Sequence, residues 1–248
     1  MNGFHTLMYH EVIDKESYNR NDYKGIEVKQ GYHDILPEEL FCYTEEFEKQ
    51  MEYLNDNGYV TLTIKQVIDY YYNNKAIPER SVLITFDDAY KSILLNAYPI
   101  LKKYHFHAVS FVVLDWLFDE AKEYRTSHSV CMSREELQSI SDVFEFGNHT
   151  KSLHTREGMQ TALQSIDKDT FLTDLKICED YVNAKNVFAY PYGIYTKEII
   201  EWLKQFGTLL GFTSNNGLNT KETNPLELHR NACMLQHNLG DFIEMLEL

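Results

Sequence analysis

The stretch Ser81-Val82-Leu83-Ile84-Thr85-Phe86-Asp87-Asp88 decides how this chain is read. Its first six residues make an apolar run of strand length, the signature of a strand buried on both faces. Two adjacent carboxylates follow it. Like charges repel and burial disfavours ionisation, so the pair needs compensation. A divalent cation is the usual answer, and the chain offers further ligands in Asn148-His149-Thr150-Lys151-Ser152-Leu153-His154. On its own the Asp pair fits a solvated turn that caps a helix. With the histidines it outlines a hydrolytic metal site: Asp88, His149 and His154 as ligands and Asp87 alongside. Successive strand residues point to opposite faces, so the chain must turn just there for both carboxylates to reach one site. His149 and His154 are about 140° apart on an ideal helix, so a loop or an irregular turn has to bring them together.

Outward from this point the pattern alternates between strands and helices. Strands are expected at 6–9, 60–62, 81–86, 108–114, 144–147, 187–190, 209–213 and 226–234. Helices are expected at 44–57 with Thr44 as N-cap, from a capping box at Thr63-Ile64-Lys65-Gln66 to 73, and at 91–104 with a kink at Pro99. Further helices are expected after a second box at Ser133-Arg134-Glu135-Glu136, and at 169–183, 196–206 closed by Gly207, and 238–248 capped by Asn238. Residues 14–43 are polar, Tyr-rich and aperiodic and read as a long loop. This alternation over one domain of 248 residues, 1–248, implies a mainly parallel sheet with crossover helices. Three strands end in chemically capable residues: Asp87-Asp88, His149, and Tyr190-Pro191-Tyr192. A β/α barrel gathers all its strand ends on one face, whereas an open doubly wound sheet gathers only those near its switch point, so the barrel is favoured.

The net charge of −15 argues against nucleic acid and anionic membranes as partners, and a neutral or cationic partner fits better. No apolar run approaches the ~20 residues of a membrane span. Of the aromatics, 18 Tyr and 14 Phe, most read as half-buried filler and some as platforms for sugar rings. Cys42, Cys131, Cys178 and Cys233 form no C-x-x-C pair, so neither a zinc knuckle nor a redox motif is indicated, and scattered cysteines fit buried thiols in a reducing, cytoplasmic compartment. Met1-Asn2-Gly3-Phe4-His5 lacks the features of a secretion leader. A cell-surface setting after leader removal is the alternative.

Thr85-Phe86-Asp87-Asp88, His149-Thr150-Lys151-Ser152-Leu153-His154 and Tyr190-Pro191-Tyr192-Gly193 resemble the first three motifs of the polysaccharide deacetylases, the NodB-homology group or carbohydrate esterase family 4. Leu7-Met8-Tyr9-His10-Glu11-Val12 is similar to the N-terminus of the subgroup acting on poly-β-1,6-N-acetylglucosamine. The resemblance implies an α/β fold, a distorted (β/α)₇ barrel, and metal-dependent hydrolysis of N-acetyl groups on a polysaccharide or oligosaccharide. It implies Zn²⁺ or another divalent ion such as Co²⁺ or Ni²⁺ on Asp88, His149 and His154, with Asp87 as general base. The acid would be His10, from the subgroup pattern, or His229 in Leu226-Glu227-Leu228-His229, where Arg230 replaces the usual Asp. Ala189 stands where the family has an arginine that orients the base, and Arg230 is the candidate substitute. The backbone N–H of Tyr192, positioned by Pro191, would be the oxyanion donor. The fourth motif, Asp-x-x-Trp, is replaced by Phe212-Thr213-Ser214-Asn215-Asn216-Gly217, which leaves Trp116, Phe118 and Tyr195 as candidate sugar platforms. Peptidoglycan or chitin oligomers, an acetyl ester or a small cyclic amide are alternative substrates, and a non-catalytic carbohydrate-binding relative is the alternative class. Oligomeric state is not legible.

Overall fold

The structure, a computed structural model, describes residues 3–247. Met1 and Asn2, the first two residues of the stretch read above as lacking leader features, and Leu248, the expected end of the last helix, lie outside the described residues. Six parallel strands form the body of the main sheet, in the spatial order Leu210–Phe212, Val187–Ala189, Phe144–Asn148, Ala108–Val112, Ser81–Asp87, Gly3–Tyr9. They are the apolar runs of the sequence, buried on both faces as parallel strands must be. Val60–Thr61 adds to the N-terminal end of Ser81–Asp87, and the antiparallel Leu218–Thr220 covers the N-terminal half of Gly3–Tyr9.

The segment after Leu226 closes the sheet into a barrel. Leu228 bridges Phe212 in parallel fashion at one edge, and Asn231–Ala232 pairs with Leu7 and Met8 at the other. This is a seventh strand split at His229-Arg230, so the fold is the distorted (β/α)₇ barrel. The expected continuous strand at 226–234 is corrected to these short pairings. Asn219 interrupts it by binding the backbone of His229 on both sides, at 2.9 Å each.

Helices pack around the sheet at Thr44–Asp56, Ile64–Tyr72, Tyr98–Lys103, Arg134–Ser139, Lys168–Tyr181, Lys197–Phe206 and Leu239–Glu247. Both capping boxes form, at Thr63 and Ser133, and Gly207 ends its helix in the left-handed region. Thr44 is not an N-cap: Tyr43 holds that position without a side-chain bond. Ahead of Pro99 the helix widens into a π-turn at Ile93–Ala97, which accommodates the N–H that proline lacks. Residues 14–43 are more ordered than a loop. Phe41–Tyr43 pairs with Glu11–Ile13, Ile26–Glu27 pairs with Ser129–Val130, and an apolar cluster forms with Tyr90, Val113 and Trp116. All four cysteines are buried and unpaired.

Candidate active site

The parallel strands deliver their chemistry to one end. Asp87 is the last residue of its strand, and Asp88 and Ala89 then take left-handed backbone angles, φ 70° and 55°. Such angles are strained for non-glycine residues and mark a held turn. The turn is pinned by the Asp88 N–H, which donates to Phe111 O at 3.0 Å. It aims both carboxylates into one cavity, as the strand-pleat argument requires.

The two carboxylates have opposite surroundings. Asp87 accepts a bidentate pair from Arg230, Nη1 to Oδ1 at 2.6 Å and Nη2 to Oδ2 at 2.9 Å. Arg230 is itself fixed by donating Nε to Thr213 O at 2.7 Å. Burial alone would raise the Asp87 pKa, but Arg230, His149 and His10 outweigh it and hold the carboxyl well below the usual range. Asp88 is 2% exposed, and its Oδ1 has no hydrogen-bond partner among the described residues. Burial, then the charge of Asp87, pushes its pKa well up.

That orphaned oxygen faces two imidazoles: His149 Nε2 at 3.7 Å and His154 Nε2 at 3.5 Å. One ligand atom from each of the three residues lies within 4.8 Å of the others. His149 donates Nδ1–H to Ala189 O at 2.8 Å, which leaves the Nε2 lone pair for a cation. Burial foremost depresses both imidazole pKa values, so both rings are neutral, as ligands must be. Two neutral imidazoles and an uncompensated carboxylate form a donor set that could hold a zinc-like divalent ion.

An irregular turn brings the histidines together. Thr150 has φ 78°, with its N–H on Asn148 Oδ1 and its hydroxyl accepting from Leu153 N. Asp174, on the neighbouring Lys168–Tyr181 helix, accepts from Lys151 N, Ser152 N and Ser152 Oγ at 2.7, 2.9 and 2.7 Å.

These residues open into a cavity of about 350 Å³ together with His10, Tyr192, Gly193, Ile194 and Ser214. His10 Nε2 is 3.8 Å from Asp87 Oδ2, and its pKa is lowered to about 4, chiefly by burial. His229 does not line the cavity, nor do Pro191, Phe118 and Tyr195. Pro191 is buried behind the Tyr192 turn, and Tyr195 stacks on Tyr190 and donates to Glu227. Tyr195 thus lies off the cavity lining, half-buried against Tyr190. Trp116 reaches the cavity lining but is 1% exposed, its ring edge-on to His154, so its contact is with that histidine. Tyr192 and Gly193 both have positive φ, and a Cβ on Gly193 would sit 1.9 Å from Ser214 Oγ. Only glycine fits that turn.

The opposite side of the cavity comes from the 14–43 segment: Ile26, Asp34, Ile35, Leu36, Pro37 and Leu40. Asp34 forms a bidentate pair with Arg156, both bonds 2.7 Å. Neither residue is marked by any motif. The available signal was Arg156 standing two residues beyond His154.

The family model described as Polysaccharide deacetylase matches residues 74–210. The poly-beta-1,6-N-acetyl-D-glucosamine N-deacetylase of Staphylococcus aureus is 30% identical over 194 residues, 75% of this chain and 65% of that protein. The protein of the same name from Staphylococcus epidermidis is 30% identical over 216 residues, 84% of this chain and 71% of that one. This chain thus spans about two thirds of the length of the curated relatives it matches. Among solved structures, the Streptococcus pyogenes deacetylase PplD in complex with acetate superposes with a TM-score of 0.79 at 21% identity, covering 99% of each chain. IcaB from Ammonifex degensii gives 0.73 at 22% identity, covering 100% of this chain and 97% of that one.

Proposed function

This chain belongs to the polysaccharide deacetylase family, and on that premise we propose that it is a metal-dependent hydrolase removing N-acetyl groups from a β-1,6-linked N-acetylglucosamine polymer. The observation that carries the reading is the pairing of an uncompensated ligand set, Asp88, His149 and His154, with an Arg230-held carboxylate, Asp87, in one cavity. A Zn²⁺, Co²⁺ or Ni²⁺ ion on that set would supply Lewis acidity and lower the pKa of water.

The chain's own residues do the rest. Asp87, kept ionised and aimed by Arg230, takes the proton of the attacking water. Arg230 fills the role left vacant by Ala189, reaching the base from the closing strand. The Tyr192 backbone N–H donates to the developing oxyanion. His10, on the same cavity and beside Asp87, protonates the departing amine. Burial lowers its pKa to about 4, so the resting ring is neutral, and the proton it passes to the amine is the one that Asp87, 3.8 Å away, has taken from the water. A strongly acidic protein suits a neutral polymer that becomes cationic as it is deacetylated.

The test is acetate release from a β-1,6-linked N-acetylglucosamine oligomer, comparing chelator-stripped protein with protein resupplied with Zn²⁺ or Co²⁺. Release that returns with the metal supports the reading. No release with metal bound rejects this substrate and moves the reading to peptidoglycan or chitin oligomers or an acetyl ester, then to a non-catalytic binder.

A further inference from the structure

Asp34 is the hub of the wall opposite the strand ends. Its Oδ1 accepts from Ile35 N at 2.8 Å and Arg156 Nη2 at 2.7 Å. Its Oδ2 accepts from Arg156 Nε at 2.7 Å, the Tyr32 hydroxyl at 3.0 Å and, more weakly, the Tyr192 hydroxyl at 3.4 Å. The Tyr32 oxygen in turn accepts from Arg156 N at 3.0 Å and lies 3.1 Å from the Tyr192 hydroxyl.

Two aromatic rings bracket His154, and both are tied to this hub. Tyr192 lies 4.3 Å from the His154 ring, centroid to centroid, and carries the Arg156 guanidinium over its own ring at 5.4 Å. Trp116 meets His154 edge-on at 4.7 Å and is stacked by Tyr32 at 6.2 Å. Tyr192 has φ 59°, a strained conformation that persists only where its surroundings over-determine it.

We propose that Asp34 is a positioning residue for the deacetylation proposed above: it locks Tyr192, and through Tyr32 also Trp116, against His154. The oxyanion-side backbone and the ligand ring then keep one orientation through turnover. The proposal rests on the deacetylase reading for its effect on rate, and on geometry alone for its effect on the wall. The Asp34–Arg156 pair is bidentate but partly exposed, at 17% and 34% of the side chains, so its loss should lower Tm only modestly, and a purely structural role is told apart by the kcat readout.

The experiment measures acetate release, bound metal and Tm for Asp34→Ala, Asp34→Asn, Tyr192→Phe and the Asp34→Ala/Tyr192→Phe double variant. Asp34→Ala is expected to lower kcat about 10–100-fold, the scale of a misplaced catalytic group, with KM, metal content and Tm nearly unchanged. Asp34→Asn, which keeps the shape and one acceptor, recovers part of the loss. The double variant is no slower than Asp34→Ala, because both changes cut one linkage. Unchanged kcat in Asp34→Ala, multiplying losses in the double variant, or a loss matched by metal release or a collapsed Tm would each overturn the proposal. A second readout needs no substrate: Trp116 fluorescence in a Trp202→Phe background shifts in Asp34→Ala, and unchanged emission also overturns it. Absence of acetate release by the wild-type protein overturns the deacetylase reading, while the emission still decides whether Asp34 holds the wall.

Discussion

The strand-end residues and the 14–43 segment face the same cavity but are held there by different physics. Asp87 and His149 are placed by parallel backbone pairing across the sheet, with their chain neighbours Phe86, Asp88, Asn148 and Thr150 all buried. The segment's own backbone pairings are two or three residues long, joined by single backbone bonds such as Lys29 N to Trp116 O and Cys131 N to Glu27 O, and side chains complete its attachment. Ile26, Val28, Leu36 and Phe41 pack on Tyr90, Val113 and Trp116, while the Arg20–Glu38, Lys29–Asp119 and Arg125–Glu27 pairs lie at the surface, where screening leaves them little strength. On the proposed function, bond-making groups thus sit on the rigid part of the fold and the wall that would meet the substrate sits on the adjustable part. Substitutions in the first region should change chemistry, and those in the apolar attachment of the second should change fit, with Asp34 the exception because its bonds reach across to Tyr192 and Arg156 beside His154.

The largest expected effect tests the division within the strand-end region. Asp88→Asn should lose tight metal binding and all measurable acetate release. Asp87→Asn should keep the metal while turnover falls about 10²–10⁴-fold, the usual worth of a positioned base. It also leaves Arg230 buried beside a neutral partner, and removing one member of such a pair costs about 3–5 kcal/mol, so its Tm should drop clearly. Metal analysis, kinetics and thermal unfolding of the two variants separate the roles. Equal metal loss in both would show that the carboxylates share the ion and would break the assignment of Asp87 as base.

Leu36→Ala tests the other region. Leu36 is 8% exposed and belongs to the apolar cluster under the wall. Leu→Ala at buried sites costs about 2–5 kcal/mol, and here the loss should fall on the local attachment of the segment. Amide exchange across 26–40 should quicken while exchange in Ser81–Asp87 stays as slow as before, and KM should rise more than kcat falls. Faster exchange spread evenly over both regions would show that the segment folds as one unit with the sheet.

The same contrast explains what was legible in the sequence. Ser81–Asp87, the His149–His154 turn, both capping boxes and Gly207 each announce themselves within a few residues, because strand burial, end capping and left-handed turns are local demands. The barrel was legible because several strands ended in chemically capable residues. Arg230 was a candidate partner of Asp87 before it was a contact, since the resemblance places an arginine where Ala189 stands. The wall was not legible. Asp34, Tyr32, Arg156 and Tyr192 come from three separate stretches, and nothing in the polar, aperiodic 14–43 segment reveals what it packs against. Leu218–Thr220 was missed because three residues carry no periodicity, and the stacking of Tyr195 on Tyr190 was not legible because it is decided by tertiary packing alone.

The smallest effect lies at the joint between the regions. Glu11 follows His10 and starts the Glu11–Ile13 strand that holds Phe41–Tyr43, and it is 3% exposed with Oε2 unpartnered among the described residues. Burial pushes its pKa from 4.5 up to about 7, against the pull of hydrogen bonds from Ser92 and Ser129. A raised carboxyl pKa means that the folded chain keeps a proton that the unfolded chain has lost. Stability from this group is therefore fully present below about pH 4.5 and is lost as pH rises through about 7, by an amount on the order of 3 kcal/mol. Glu11→Gln keeps the shape and removes the titration. Urea unfolding from pH 4 to pH 8 should give variant and wild type similar stability at the acid end and a variant more stable at the alkaline end. Parallel curves would mean that Glu11 keeps an ordinary pKa and that water reaches the joint. A widening gap would mean that the wall is rooted in a dry, proton-holding site directly behind His10, so that the adjustable region is anchored at the one point where it adjoins the chemistry.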